Sequence, residues 1–178
     1  MQYNRLLAIT LQRYGQMNRY KIWDLDGTVI DSSHRYSTLE NGDIDLPRWI
    51  ADNTRANIEQ DKLLPLARLM RSNYRQGDIV IICTARVLGV WDHVFLADHG
   101  IKAQFILSRA LGDNRGDAEM KRAKLIALFA DLKIPFARWT RNATFYDDNQ
   151  GVLDMAEKLG IRTRNAVQLN FKLKRASL

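Results

Sequence analysis

The sequence contains one cysteine in 178 residues, Cys83, so no disulfide can form within the chain. It has no apolar run near the ~20 residues that a membrane-spanning helix requires. Residues 1–18 lack the continuous apolar core and the small-residue cleavage site of a secretory signal. These absences together predict a cytoplasmic protein with no membrane partner, since thiols stay reduced in that compartment.

Several recognition motifs are also missing. The sequence has no RNP motif, no zinc-finger spacing, no stacked aromatic series and no kinase P-loop. Lysine and arginine nevertheless outnumber aspartate and glutamate by 27 to 20, which gives a formal charge of +7. Such an excess favours phosphorylated or polyanionic partners, although many basic proteins bind no nucleic acid. The basic residues cluster only at 138–141, 162–164 and 172–175.

Short apolar runs alternate with helical patterns along the chain. The runs predict strands at 20–26, 78–84, 104–107, 143–147 and 166–169. Patterns with a helical period predict helices at 61–75, 88–99, 117–132 and 151–159. This alternation predicts an α/β fold, an open Rossmann-like parallel sheet with helices on both faces.

Two segments fit the alternation less well. Residues 1–18 are ambiguous between an extra strand and a helix, and residues 32–60 form a polar insert with one predicted helix at 46–60. No linker or internal repeat divides the sequence, so residues 1–178 are predicted to form a single domain. The sequence carries no signal for the oligomeric state.

Acidic residues follow two of the predicted strands, at the sheet edge where open α/β folds bind ligands. Asp24 and Asp26 follow the first strand, and Asp147 and Asp148 follow the fourth. Such a cluster would repel itself unless a cation neutralised it. Carboxylate oxygens suit Mg²⁺, which binds through one or two carboxylates and substrate phosphates. The sequence therefore predicts a magnesium site at this edge.

A hydroxyl and a lysine join these carboxylates. Thr84 ends the second predicted strand, and Lys121 and Lys124 both lie in the helix before the fourth strand. Phosphoryl transfer needs groups of this kind to position the phosphate and stabilise its oxygens. Aspartate can act as the nucleophile, and Asp26 lies two residues beyond Asp24, on the same face, where it could serve as acid and base.

These residues are also the signature of a family. The run Asp24-Leu-Asp-Gly-Thr-Val-Ile-Asp31, then Thr84, a helix lysine and Phe145-Tyr-Asp-Asp148 resemble the four motifs of the haloacid dehalogenase (HAD) superfamily of phosphatases. The resemblance covers about residues 20–169. It implies a phospho-aspartate mechanism in which Asp24 is the nucleophile and Asp26 the acid/base.

The resemblance also implies the remaining roles. Asp24, Asp147 and the backbone carbonyl of Asp26 would hold Mg²⁺, and Asp148 would be either a further ligand or a base that holds a metal-bound water. Thr84 would bind the transferring phosphoryl group. Lys121 would neutralise its charge, and it is preferred to Lys124 because it lies in the first turns of its helix, facing the strand ends.

Substrate contacts are predicted at four further positions. Gly27 permits a tight exit from the first strand, and Thr28 can return a hydrogen bond to it. Arg86 follows the phosphate-binding turn and Arg35 opens the insert, with an ion pair and a solvated loop as their respective alternatives. Cys83 is predicted to be a buried strand residue rather than a nucleophile, since no histidine partner is evident.

The insert at 32–60 is too short for a full helical cap, and an open site can admit large substrates. Within the superfamily, the run at 24–35, Thr84-Ala-Arg86 and the segment 117–121 most resemble the phosphatase domain of phage polynucleotide kinase-phosphatases, although Asn149 stands where arginine is common. This implies a phosphomonoesterase that acts on nucleotides or on the 3′-phosphate ends of nucleic acids. A 5′-nucleotidase, a phosphomutase with a closed lid and a non-catalytic nucleic-acid-binding module are the alternatives.

Overall fold

A computed structural model describes residues 19–35, 37 and 45–176 of the protein. Parallel strands form its main sheet. The five strands lie in the order β5-β4-β1-β6-β7, with β1 in the centre. They are β1 (Tyr20–Trp23), β4 (Ile79–Cys83), β5 (Phe105–Leu107), β6 (Ala143–Asp147) and β7 (Arg162–Asn165). The β4 and β6 residues are all buried, as their β-branched and aromatic residues predict for strands covered on both faces.

Helices pack on both faces of this sheet. They are α1 (Leu46–Ala51), α2 (Arg55–Ile58), α3 (Leu66–Arg75), α4 (Val90–Asp98), α5 (Asp117–Asp131), α6 (Phe136–Arg141), α7 (Gln150–Lys158) and α8 (Ala166–Arg175). On one face, Ile22 and Phe145 of the sheet pack in a cluster with Phe129 of α5. On the other, Trp23 and Ile82 share a cluster with α3 and α4 residues. The predicted α/β class is confirmed.

A short antiparallel hairpin lies beside the main sheet. Strand β2 (Ile30–Asp31) pairs with β3 (Lys62–Leu63), and a 3₁₀ turn at Ser33–Arg35 follows β2. The insert therefore begins and ends at paired strands. No helix in the described part of the chain combines the length and the apolar character needed to cross a membrane.

The fifth predicted strand, at 166–169, is wrong. The strand is Arg162–Asn165, and Ala166 begins α8. Asn165 caps this helix by accepting a hydrogen bond from the backbone N–H of Gln168 at 3.0 Å. Strand β7 lies at the edge of the sheet and its residues are exposed or half-buried, so its polar sequence escaped the apolar pattern.

The predicted helix at 46–60 is also wrong, since it is divided into α1 and α2. The side chain of Thr54 caps α2 by accepting a hydrogen bond from the N–H of Asn57. The helix predicted at 61–75 begins only at Leu66, because Lys62 and Leu63 pair in β3. The prediction for residues 1–18 lies outside the described residues.

Candidate active site

The carboxyl ends of β1 and β6 bring two buried aspartates together around one lysine. Lys121 of α5 donates from Nζ to Oδ1 of Asp24 and to Oδ2 of Asp147, each at 2.8 Å. The three residues are between 0% and 4% exposed. The structure thus brings Lys121, rather than Lys124, to the predicted nucleophile.

A third carboxylate completes the cluster. One carboxylate oxygen from each of Asp24, Asp147 and Asp148 lies within 4.8 Å of the others. Asp148 is exposed, whereas the other two are buried. A set of three carboxylates open to solvent on one side fits a hard cation such as Mg²⁺. The side chain of Asp26 is not part of this cluster, and its proposed ligand atom, the backbone carbonyl, stays a prediction.

The surroundings disfavour charge on these carboxylates. Burial raises the pKa of Asp24 well above its usual range, and the neighbouring Asp147 adds to the rise, while Lys121 opposes it. Burial likewise raises the pKa of Asp147 against the effect of Lys121. Partial desolvation and the charge of Asp147 raise the pKa of Asp148 to about 6. One lysine therefore does not fully offset three carboxylates, and a cation would relieve the remaining repulsion.

Gly27 is required by the close approach of Asp148. Its φ of +69° lies in the left-handed region, which favours glycine. A Cβ atom at this position would lie 2.2 Å from Oδ2 of Asp148. Any side chain at position 27 would therefore displace the third carboxylate of the cluster.

Asp26 is held by an arginine and a serine. Arg86 donates from Nε to Oδ2 of Asp26 at 3.0 Å and from Nη2 to Oδ1. The hydroxyl of Ser32 donates to Oδ1 at 2.5 Å. Burial opposes ionisation of this carboxyl, but the charge and hydrogen bonds of Arg86 and the bond from Ser32 lower its pKa overall. The carboxylate is thereby fixed in one orientation at the mouth of the site.

Arg86 in turn belongs to a buried ion-pair network. Its Nη1 donates to Oδ1 of Asp92 at 2.6 Å and to Oδ2 of Asp61 at 3.3 Å. Arg35 donates to both carboxylate oxygens of Asp61, at 3.0 and 2.8 Å. The rings of Trp49 lie against both guanidinium groups, 4.4 Å from that of Arg35 and 5.5 Å from that of Arg86. Asp61 and Asp92 were not among the predicted site residues, because no local motif marks them.

The other predicted contacts fall into two groups. Thr84 is fully buried at the end of β4, and its Oγ1 accepts from the backbone N–H of Arg86 at 3.1 Å. Thr84, Arg86 and Gly27 line the cavity over the carboxylates. Thr28 and Arg35 are buried and do not line it, and the substrate contacts at these two positions stay predictions. The guanidinium of Arg35 is engaged by Asp61.

Cys83 takes no part in this arrangement. It is fully buried in β4, and burial raises the pKa of its thiol to about 12. A thiol in this state is a poor nucleophile, in agreement with the prediction of a strand residue.

A cavity of about 1140 Å³ opens above the carboxylates. Its floor includes Asp24, Lys121 and Asp147, and residues 114–119 form a continuous part of its wall. Trp49 and Ser32 of the insert segment border it as well. The volume exceeds the ~300–1,000 Å³ typical of small-ligand sites, so the cavity is larger than a nucleotide requires.

Arg109 joins the loop after β4 to the beginning of α5, and the sequence patterns missed it. Its Nε donates to the carbonyl of Ala85 at 2.9 Å, and its Nη2 donates to Oδ1 of Asp117 at 2.6 Å. Its backbone N–H donates to the carbonyl of Arg86 at 3.1 Å. The available signal was its position directly after β5, at the same sheet edge as the other site residues.

Asn170 connects α8 to the loop that follows β1. Its Nδ2 donates to the carbonyl of Thr28, and its Oδ1 accepts from the backbone N–H of Leu66, each at 2.9 Å. The residue is 6% exposed. Thr28 lies two residues after Asp26, so this bond fixes the backbone of the loop that carries both catalytic candidates.

We expect the substitution Asn170→Leu to lower the free energy of unfolding by about 2–3 kcal/mol and to slow turnover. The change leaves a buried carbonyl and a buried N–H without partners, and each such group costs about 1–3 kcal/mol. Urea unfolding and kcat measured together would test this. Gln168→Leu, on an exposed turn of the same helix, is the matched control. Equal stability of the two variants would contradict the expected role of Asn170.

A family model described as bacteriophage T5 5′-deoxynucleotidase matches residues 10–177. The 5′-deoxynucleotidase of Escherichia phage T5 is 28% identical in an alignment 193 residues long, which covers 94% of this chain and 75% of that protein.

Solved structures agree on the fold. A chain in the structure of the Pnkp1/Rnl/Hen1 RNA repair complex is 25% identical, with a TM-score of 0.56 over 83% of this chain. The match spans only 42% of that chain. A HAD-superfamily hydrolase from Geobacter sulfurreducens is 14% identical, with a TM-score of 0.54 over 84% of this chain and 87% of its own. The predicted HAD fold is confirmed.

Proposed function

Because the chain belongs to the bacteriophage T5 5′-deoxynucleotidase family, we propose that it hydrolyses the 5′-phosphate of deoxynucleoside monophosphates. The prediction of an HAD-type phosphatase is confirmed. The observation that carries the proposal is the buried Lys121 between Asp24 and Asp147, on the floor of a nucleotide-sized cavity. This arrangement supports phosphate binding and phosphoryl transfer at one point.

Asp24 is the proposed nucleophile. Lys121 holds Oδ1 of this carboxylate at 2.8 Å, which leaves Oδ2 as the oxygen that attacks phosphorus. The bond between phosphorus and the 5′ oxygen of the sugar breaks as the new bond forms, and Asp24 becomes a phospho-aspartate. Lys121 and the hydroxyl of Thr84 stabilise the negative charge on the phosphoryl oxygens.

Asp26 is the proposed acid and base. Arg86 and Ser32 favour the ionised carboxylate in the free protein, so Asp26 takes up a proton when the substrate binds. It gives this proton to the leaving 5′ oxygen, so the nucleoside departs neutral. It then takes a proton from the water that attacks phosphorus, which releases inorganic phosphate and restores Asp24. The hydrogen bonds from Arg86 and Ser32 keep this carboxyl in position for both steps.

A divalent cation completes the proposal. Asp24, Asp147 and Asp148 would hold Mg²⁺, since their oxygens lie within 4.8 Å of one another. When bound, it would supply positive charge toward the substrate phosphate and lower the repulsion between phosphate and carboxylates.

A second candidate is the hydrolysis of 3′-phosphates at the ends of nucleic acids. It is favoured by the similarity to a chain of the RNA repair complex and by the formal charge of +7. The wide cavity would also admit a strand end. We rank the mononucleotide first because the chain belongs to the deoxynucleotidase family.

Phosphate release from a panel of substrates separates the two. The panel holds 5′- and 3′-deoxynucleotides, 5′-ribonucleotides, an oligonucleotide with a 3′-phosphate and p-nitrophenyl phosphate, each assayed with Mg²⁺ and with EDTA. We expect the highest kcat/KM for 5′-deoxynucleotides and no turnover with EDTA. A higher value for the 3′-phosphorylated oligonucleotide would establish the second candidate. Absence of turnover across the panel, with the chain folded, would contradict both.

A further inference from the structure

The cationic side chains that line the cavity differ in what they are free to contact. In the described part of the chain they are Arg86, Arg109, Arg115 and Lys121. Arg86, Arg109 and Lys121 are 2–6% exposed and have their donors engaged by protein oxygens. The side chain of Arg115 is 42% exposed. Among these four cations, Arg115 is therefore the most accessible to a substrate.

The buried Arg109 holds the loop that carries Arg115. Nη1 of the buried Arg109 donates to the carbonyls of Asp113 and Arg115, each at 2.7 Å. The same guanidinium binds Asp117 at the beginning of α5. Because a buried arginine donates to its carbonyls, the loop backbone is already ordered before a ligand binds. Binding then loses less conformational entropy.

Asp113 fixes the side chain of Arg115 as well. The guanidinium donates from Nε to Oδ1 at 2.9 Å and from Nη2 to Oδ2 at 2.6 Å. This paired arrangement offsets the positive charge and leaves Nη1 outside the pair. A guanidinium that is paired with a carboxylate is a weaker phosphate ligand. Its plane can still stack on a base, and its remaining N–H groups can donate to a base edge.

The position of Arg115 places it beyond the scissile phosphate. Lys121, which faces the phosphate, lies one helical turn inside α5 from Asp117, about 6 Å along the axis. Arg115 lies two residues before that helix and lines the same cavity, but its side chain is 42% exposed whereas Lys121 is buried. A substrate whose phosphate rests on Lys121 would therefore bring its leaving group, not its phosphate, to Arg115.

We propose that Arg115, held by Asp113 and Arg109, is a specificity residue that recognises the nucleobase of the substrate. The inference rests on the proposed function, because it assumes a nucleotide as substrate. It assigns the loop at 113–117 as the base subsite, separate from the carboxylates that carry out the chemistry.

The test compares substrates with and without a base. kcat/KM is measured for a 5′-deoxynucleotide and for deoxyribose 5-phosphate, and the ratio of the two is the readout. We expect Arg115→Ala to lower this ratio about tenfold, as the loss of one stacking or hydrogen-bonding contact implies. Arg115→Lys should lower it similarly, since lysine keeps the charge but has no plane. Arg122→Ala, at an exposed arginine of α5, is the matched control and should keep the wild-type ratio.

Three outcomes would overturn the inference. Unchanged kcat/KM for both substrates in Arg115→Ala would show that the base lies elsewhere. An equal loss on deoxyribose 5-phosphate, or full activity in Arg115→Lys, would show that the residue serves the phosphate by charge. Failure of the proposed function is distinguishable because it would appear in the wild-type enzyme. There, kcat/KM for a 5′-deoxynucleotide would be no higher than for p-nitrophenyl phosphate, and the inference would then fail as well.

Discussion

Replacing Asp24 by asparagine should abolish phosphate release, with kcat lower by at least about 10⁴-fold. An amide oxygen is a far weaker nucleophile than a carboxylate oxygen and cannot form the phospho-aspartate. Phosphate release from the best substrate of the panel would be measured for both proteins. Asp154→Asn, at an exposed aspartate of α7, is the matched control and should keep full turnover.

The Asp24→Asn protein should also remain folded, and this distinguishes loss of chemistry from loss of structure. Lys121 lies between two carboxylates, so removing one negative charge leaves it paired with Asp147. Burial already disfavours the charge on Asp24 and raises its pKa. Thermal unfolding should therefore occur at or above the wild-type temperature. An unfolded variant would contradict the expected stability, and a folded variant that retains a hundredth of the turnover would contradict the proposed nucleophile.

Much of this site could be predicted because it depends on topology. Asp24 and Asp147 end neighbouring parallel strands, and the carboxyl ends of such strands meet at one edge. Lys121 could be chosen over Lys124 from its place in the first turns of its helix. These inferences need only a parallel sheet, whose strands all end at the same edge, and the helix register, and the apolar pattern of the sequence predicts both.

The residues that orient the site could not be predicted in the same way. Asp61 was placed inside a helix, yet it precedes β3 and binds Arg35 and Arg86 from a distance of 25 or more positions in the sequence. Asn170 reaches Thr28 across 142 positions. Polar contacts of this kind have no period and no local composition, so only the folded chain reveals them. The misplaced strand at 166–169 has a related cause, since polar edge strands leave a weak pattern.

Mg²⁺ should raise the unfolding temperature of the wild-type protein, and Asp147→Asn should remove most of that effect together with turnover. A ligand that binds only the folded state stabilises it by about 1.4 kcal/mol for each tenfold rise in concentration above its Kd. Asp147 is buried and supplies one of the three clustered carboxylates, so its amide would weaken the site directly. Thermal unfolding is measured over a MgCl₂ titration, with EDTA as the zero point and Asp154→Asn as the control.

The unfolding measurement tests the metal site independently of catalysis. The Asp147→Asn protein keeps Lys121 paired with Asp24, so its fold should survive in EDTA and its curve should stay flat as Mg²⁺ is added. If Mg²⁺ does not change the unfolding temperature of the wild-type protein and turnover persists in EDTA, the cluster is ruled out as a magnesium site. Lys121 would then have to provide the charge that the substrate phosphate needs, although both carboxylates that it binds already compete for that charge.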